Sequence, residues 1–253
     1  MEPYLYTTMA QLEPQHWWFL ARRQILCRVI DQLLRPGDRL LDVGCGTGFI
    51  LEALQTRYDV WGLDSAAIAI EQCQQRGVRQ VCQGSFEDLS AQPFDLITFL
   101  DVIEHLSDDR QALLIARSHL KDHGKLLITV PAYQFLWSQH DVAHHHYRRY
   151  RRSPLRSLLQ QTGYHPLHLS YFNTALFPLI AAIRLKQRLH PPATPSTPSD
   201  LSLPAPWLNR TLQWIFAQER WLMPHIPLPF GVSLLAIAQK KPPVELPEDA
   251  GEP

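Results

Sequence analysis

The run Leu41-Asp42-Val43-Gly44-Cys45-Gly46-Thr47-Gly48 sets three glycines two apart directly after a short apolar segment. Glycines at this spacing let the backbone approach a ligand with no Cβ in the way, and the free N–H groups of a following helix serve that ligand's anionic part. Asp64 ends the next apolar run, 20 residues after Gly44, where a carboxylate accepts hydrogen bonds from ribose hydroxyls. Position 49 is Phe, so the pattern is GxGxG and the GxGxxG dinucleotide fingerprint fails at its third glycine. That disfavours an NAD-linked oxidoreductase. A tight turn that binds nothing is the bland alternative.

Two further segments carry reactive side chains. Asp101-Val102-Ile103-Glu104-His105 follows a strongly apolar run. If that run is a strand, Asp101 lies at the sheet edge where open α/β sheets bind ligands. His105 suits a general base acting on a hydroxyl, since imidazole titrates near neutrality; the alternative is that Glu104 and His105 only cap and orient their loop. The second segment, Trp137 to Arg152, crowds four of the twelve histidines and four arginines into sixteen residues. His140 and His144 stand at i and i+4 with Asp141 between them, which is metal-ligand spacing, but the third downstream ligand of a zinc protease is not identifiable and no metal is assigned. Arg148, Arg149 and Arg152 suit an anion such as phosphate or carboxylate, and a solvated basic turn is the competing reading.

These groups need a scaffold that turns loops toward one edge. From Arg39 onward, short apolar runs alternate with longer amphipathic ones, as βαβ units and a parallel sheet require. RLLDVG, DVWGLD, RQVCQG, FDLITFL and GKLLITVP read as five strands, with helices at FILEALQTRY, SAAIAIEQCQQRG and SDDRQALLIARSHL. Ser107 is the expected N-cap of the last of these, with Asp108 and Asp109 in its first turn. Upstream, Trp17 to Leu34 carries a helical stripe ended by Pro36-Gly37. Downstream, SPLRSLLQQTG reads as a helix, Tyr164 to Phe172 as a sixth strand and Gly231 to Gln239 as a seventh.

Fifteen of the 21 prolines lie from Pro166 onward, so the last third is built differently. The expected organisation is a helical cover at 1–38, a body at 39–172 and 230–241, a helical insertion with a Pro-rich linker at 173–229, and a disordered acidic tail at 242–253. With 24 basic and 24 acidic residues the formal net charge is zero, which argues against a chain whose main business is coating nucleic acid. Cys27, Cys45, Cys73 and Cys82 form no CxxC pair, so neither a disulfide framework nor a zinc ribbon is expected. No signal peptide and no transmembrane stretch are visible, and a cytoplasmic chain is expected.

LLDVGCGTG, the acidic end of GLD, FDLITFLDVIEHL and GKLLITVP resemble, in order, the motifs of class I S-adenosylmethionine-dependent methyltransferases. The likeness runs from about residue 39 to 131, and a weaker antiparallel ending extends it to about 240. It implies a Rossmann-like, doubly wound α/β sheet of seven strands in the order 3-2-1-4-5-7-6, the last strand antiparallel. It also implies S-adenosylmethionine as cofactor, with the glycine loop on the methionine end and the acid after strand two on the ribose. The cofactor set carried over is Asp42, Gly44, Cys45, Gly46, Gly48, Asp64, Ser65, Ser85, Phe86 and Asp101. Ser85 stands where the family usually has an Asp toward the adenine, in the run Gly84-Ser85-Phe86-Glu87-Asp88.

The segment after strand four resembles the family's methyl-transfer motif, so Asp101 and His105 are catalytic candidates, joined by Tyr147. An HYRRY-like loop occurs in a bacterial subgroup of such enzymes on the acceptor side of the pocket, which makes His140, His146, Tyr147, Arg148, Arg149 and Tyr150 acceptor candidates. The implied reaction is methylation of a small-molecule or lipid-linked acceptor, O-methylation ahead of N- or C-methylation; the alternative is a non-catalytic cofactor-binding or partner subunit on the same fold. Trp207, Trp214 and Trp221, seven apart, make one apolar helical stripe expected to pack as core on the TALFPLIAAIRL helix or as a dimer contact. With Arg184, Lys186 and Arg188 nearby, the same stripe also suits peripheral contact with a membrane.

Overall fold

The structure is a computed structural model that describes residues 3–86, 89, 92–189, 202–223 and 225–242. Its centre is a seven-stranded sheet, β1 (Arg39–Val43), β2 (Asp59–Asp64), β3 (Val81–Gln83), β4 (Phe94–Leu100), β5 (Leu120–Pro131), β6 (Tyr164–Phe172) and β7 (Ser233–Lys240). The strand order is β3-β2-β1-β4-β5-β7-β6, as the motif order implied. β3 to β5 pair in parallel, and β7 enters antiparallel between β5 and β6. Because β1 and β4 are covered on both faces, their sequences are nearly unbroken apolar runs, as buried parallel strands must be.

Alternate residues of each strand feed two cores. Leu40, Leu235 and Ile237 join a cluster with Ile25, Leu26, Val29 and Ile30 of α2 (Trp17–Leu33), Leu51 of α3 (Phe49–Leu54) and Cys73 of α4 (Ala67–Gln75). Leu41, Leu234 and Ala236 join the opposite cluster with Leu113 and Ala116 of α5 (Asp109–His119) and Leu155 and Leu159 of α7 (Arg152–Gln161). Full burial of Phe94, Phe99, Tyr164, Phe172 and Phe216 is worth roughly 1.5–3 kcal/mol for each large apolar side chain. Apolar packing, not any one polar contact, therefore decides the fold.

Several boundaries differ from expectation. Asp108, not Ser107, caps α5 by accepting the Gln111 N–H at 2.8 Å; both residue types cap well, and the longer carboxylate reaches the N3 amide. β5 starts at Leu120 rather than Gly124, with a register shift opposite Phe94 and Leu96. A helix α1 (Pro3–Leu12) precedes α2, unannounced by any long stripe. It buries Leu5 and Tyr6.

The insertion contains α8 (Phe177–Leu189), α9 (Pro206–Ala217) and α10 (Glu219–Leu222). The Pro-rich linker and the acidic tail fall mostly outside the described residues. α9 packs on α2. Asn209 accepts the Trp17 N–H at 2.9 Å and donates to the Gln15 carbonyl at 2.7 Å, while Phe216 stacks on Phe172. The Trp stripe faces outward, with Trp207, Trp214 and Trp221 at 70%, 66% and 54% exposure. The expectation that these tryptophans are core is corrected, because Leu212, Ile215 and Phe216 on a neighbouring face take that place. Glu219 closes the insertion on itself by accepting the backbone N–H groups of Asn173, Thr174 and Ala175.

Candidate functional site

The glycine loop leaves β1 with Gly44, Gly46 and Gly48 all at positive φ, a backbone region that side chains with a Cβ rarely adopt. A Cβ on Gly44 would strike Val102 at 2.6 Å, and one on Gly48 would strike Cys73 Sγ at 2.8 Å; at Gly46 it would meet nothing within 4 Å. The first and third glycines thus serve packing, whereas Gly46 opens on free space. That open backbone is the cradle a ligand needs. Cys45 turns the other way, 3.8 Å from Cys73 Sγ, so its side chain packs behind the loop.

Asp64 sits across from this opening. Its carboxylate accepts the Gly46 N–H and the Ala66 N–H, both at 3.0 Å, and the Tyr6 hydroxyl of α1 at 3.5 Å. Burial, then Asp64 itself, pushes the Tyr6 phenol up. Glu13, just after α1, accepts from the Thr47 hydroxyl of the glycine loop and from Arg76 at 2.7 Å. α1 and the residues behind it therefore form the roof of the glycine-loop site. Ser65 and Ser85 are exposed at the strand ends. Phe86 instead packs inward against Phe99 and His119, so its ring is core. Glu87 and Asp88 lie outside the described residues.

Two carboxylates stand deeper. Asp42 is buried, accepts the Thr98 hydroxyl at 2.6 Å, and is pushed up to about 7 by burial. Asp101, at φ 62 after β4, accepts Arg22 Nη2 at 2.8 Å and the Thr129 hydroxyl at 3.1 Å. Arg22 comes from α2 with its Nε buried and unpartnered among the described residues. It is the residue that motif reading missed. Its signal was weak but present: Arg22 falls four before Leu26 and seven before Val29, a charge in line with an apolar stripe.

The His/Arg segment folds inward. Ser138 and Asp141 form a capping box on α6 (Gln139–Ala143), and an Ala132–Tyr150 bridge returns the chain to the sheet edge. Asp141 is fully buried and accepts Arg149 Nε at 2.7 Å, Arg149 Nη2 at 2.8 Å and His146 Nδ1 at 2.9 Å. Burial pushes this carboxyl up, but the bonds from His146 and Arg149 outweigh it and hold it well below the usual range. Arg149 therefore has no fork left for an anionic acceptor. Arg148 is likewise turned onto the Leu106 and Ser107 carbonyls and Asp109. Tyr150 is buried with its hydroxyl on Asp109 at 2.6 Å. These three side chains thus make internal contacts, and for Arg149 the reason is burial, since a buried guanidinium must find its carboxylate at home.

His105 and His146 meet edge to face, 4.5 Å between ring centroids, and His140 stacks on His144 at 4.1 Å. Burial, then His146, lowers the His105 pKa to about 4, which leaves it neutral at physiological pH and a weak base. Tyr147 is 62% exposed, its N–H donated to the Glu104 carbonyl at 2.8 Å. Of the candidates, His105, His140 and His146 lie together, with His146 4.5 Å from His105 and 6.0 Å from His140 between ring centroids.

A family model described as "Methyltransferase domain" matches residues 18–169. The "Ubiquinone biosynthesis O-methyltransferase" of Coxiella burnetii (strain RSA 493 / Nine Mile phase I) is 30% identical over 133 residues, 46% of this chain and 56% of that protein. The protein of the same name from Xanthomonas campestris pv. campestris (strain B100) is 33% identical over 110 residues, 40% and 46% of the two chains. The chain spans about half the length of the curated relatives it matches. Among solved structures, the Haloferax volcanii chain complexed with the methyltransferase activator Trm112 superposes with a TM-score of 0.61 at 16% identity, covering 94% of this chain and 95% of that one. A SAM-dependent methyltransferase from Archaeoglobus fulgidus gives 0.56 at 18% identity, covering 86% and 92%. At such identities these two speak for the fold alone.

Proposed function

The chain belongs to the methyltransferase-domain family of S-adenosylmethionine-dependent enzymes, and from that premise we propose that it methylates an oxygen on a small or lipid-linked acceptor. The observation that carries the cofactor side is Gly46, whose missing Cβ leaves open space beside the Asp64 carboxylate. The O-acceptor reading is supported by the relatives from Coxiella burnetii and Xanthomonas campestris, both O-methyltransferases by name.

Bound S-adenosylmethionine supplies an electrophilic methyl group on a sulfonium. Gly46 would bring bare backbone to its methionine end, with Gly44 and Gly48 packed to hold the turn of the loop, and Asp64 would keep lone pairs for the ribose hydroxyls. Asp42, once ionised, would offer a carboxylate to the ammonium, and the buried guanidinium of Arg22 would face the carboxylate. Asp101, fixed by Arg22 and Thr129, orients the floor of the transfer site. Tyr6 and Glu13 exclude water from above, which strengthens each of these contacts. His105, His140 and Tyr147 line the acceptor rim, where positioning contributes more than proton removal.

Peripheral membrane contact is part of the proposal. Trp207, Trp214 and Trp221 stand on the outer face of α9 and α10 with Arg210 and Arg220 beside them, an arrangement suited to an anionic bilayer surface. Among the described residues no helix is long and apolar enough to cross a membrane.

Profiling lipids and metabolites of producing cells with and without this gene, fed methyl-labelled methionine, tests the reading. The expected result is loss of label from an O-methyl group of one compound class. Loss confined to N-methyl or C-methyl products overturns the oxygen acceptor.

A further inference from the structure

The turn after β4 holds a buried carboxyl that methyl transfer does not use. Glu104 is fully buried, and neither oxygen of its carboxyl has a hydrogen-bond partner among the described residues. A carboxyl left so costs several kcal/mol if ionised, and if protonated still leaves a donor unmade. Native structures rarely carry such a group without a reason.

Its neighbours supply one. Ligand atoms of Glu104, His105 and His146 all lie within 4.8 Å of one another, drawn from the turn after β4 and from the loop after α6. The Tyr147 N–H on the Glu104 carbonyl locks the two segments in register. One imidazole is already oriented by an outer partner. His146 engages Asp141 through Nδ1 at 2.9 Å, which leaves Nε2 for the cluster, and Arg149 in turn holds Asp141. A carboxylate behind a histidine is the arrangement that fixes tautomer and ring direction at metal sites.

We propose that Glu104, His105 and His146 bind a zinc-class divalent cation. Two imidazole nitrogens and one carboxylate oxygen match zinc, cobalt or nickel, whereas magnesium and calcium prefer all-oxygen shells. Three protein ligands leave a fourth tetrahedral position open. The i, i+4 pair His140 and His144, which spacing alone had suggested, is a different set: its rings stack on each other, and the Asp141 between them is taken up by Arg149.

Titration of the metal-stripped full-length chain with Zn2+ by calorimetry, and with Co2+ by visible absorption, tests it. The expected result is saturation at about one ion per chain with tetrahedral Co2+ bands and a Zn2+-induced rise in Tm. Glu104→Gln and His146→Gln should each lower affinity at least tenfold, and His140→Gln should change it less than about twofold. Circular dichroism establishes that each variant is folded; should Glu104→Gln not fold, His146→Gln on the loop decides alone. Absence of saturable uptake by the unmodified chain overturns the site. Loss of uptake in His140→Gln with retention in His146→Gln overturns it equally.

Discussion

Arg22 Nη2 lies 2.8 Å from Asp101 Oδ2, joining α2 to the end of β4 across 79 positions of sequence. The same nitrogen reaches the Thr129 hydroxyl at 3.1 Å, so one guanidinium ties the helical cover to two central strands near their carboxyl ends. The pair is mostly shielded from solvent, at 10% and 28% side-chain exposure, and its attraction is screened less than that of a surface pair. α2 is thereby held against the side of the site that α1 roofs.

Arg22→Lys should lower S-adenosylmethionine affinity at least tenfold in calorimetry. An ammonium has no planar fork with which to serve Asp101, Thr129 and an anionic ligand group together. Thermal unfolding should fall by only a few degrees, because Ile25, Leu26 and Val29 still anchor α2. Unchanged affinity in a folded Arg22→Lys removes this residue from the cofactor site.

A pH dependence follows from Asp42. Burial raises its carboxyl to about 7 from the ordinary 3.8, so between these values the folded chain holds a proton that the unfolded chain has lost. The contribution of this group to stability is therefore greatest at acid pH, declines as pH rises through that window, and is level above it. Asp42→Asn should flatten the decline in denaturant titrations. If the ionised form meets the cofactor's ammonium, affinity should also rise about tenfold between about pH 6 and about pH 8 in the unmodified chain and not in Asp42→Asn. A flat binding profile in both proteins separates Asp42 from the ligand.

The parts legible in sequence are those in which one residue type has one physical use. The glycine run around Gly46 and the nearly unbroken apolar runs of β1 and β4 are of this kind, and they yielded the glycine loop and the parallel strands; the strand order came only with the resemblance that these motifs carry. Direction was harder to read. A seven-residue period shows that Trp207, Trp214 and Trp221 share a face but not which way that face points. A run of arginines does not say that Arg149 turns inward, because its partner Asp141 owes its burial to tertiary packing. Glu104 was read as a possible cap for the same reason; its isolation emerges only when the loop after α6 closes over it.

Arg149→Gln should destabilise the fold by about 3–5 kcal/mol, the cost of leaving the buried Asp141 carboxylate without its bidentate partner. Arg148→Gln, from a side chain one-third exposed, should cost about 1 kcal/mol. Urea unfolding of the two single variants measures the contrast. Equal small losses leave the Arg149–Asp141 pair without the structural weight its geometry implies.

The outward tryptophans give the last test. Trp214 is 66% exposed, so Trp214→Asp removes little buried apolar surface and should shift Tm by no more than a degree or two. Its effect should fall on binding: an interfacial helix anchored by aromatic rings loses affinity when a carboxylate enters that face, both through lost insertion and through repulsion from anionic headgroups. Flotation with vesicles of mixed neutral and anionic phospholipid should therefore drop sharply in Trp214→Asp, and Arg210→Glu, on the same helix, should weaken it further at low salt than at high. If flotation is unchanged and sedimentation velocity instead shows a dimer reduced to monomer by Trp214→Asp, the face belongs to a second subunit. A fall in Tm of many degrees would place the ring in a core after all, against its exposure on α9.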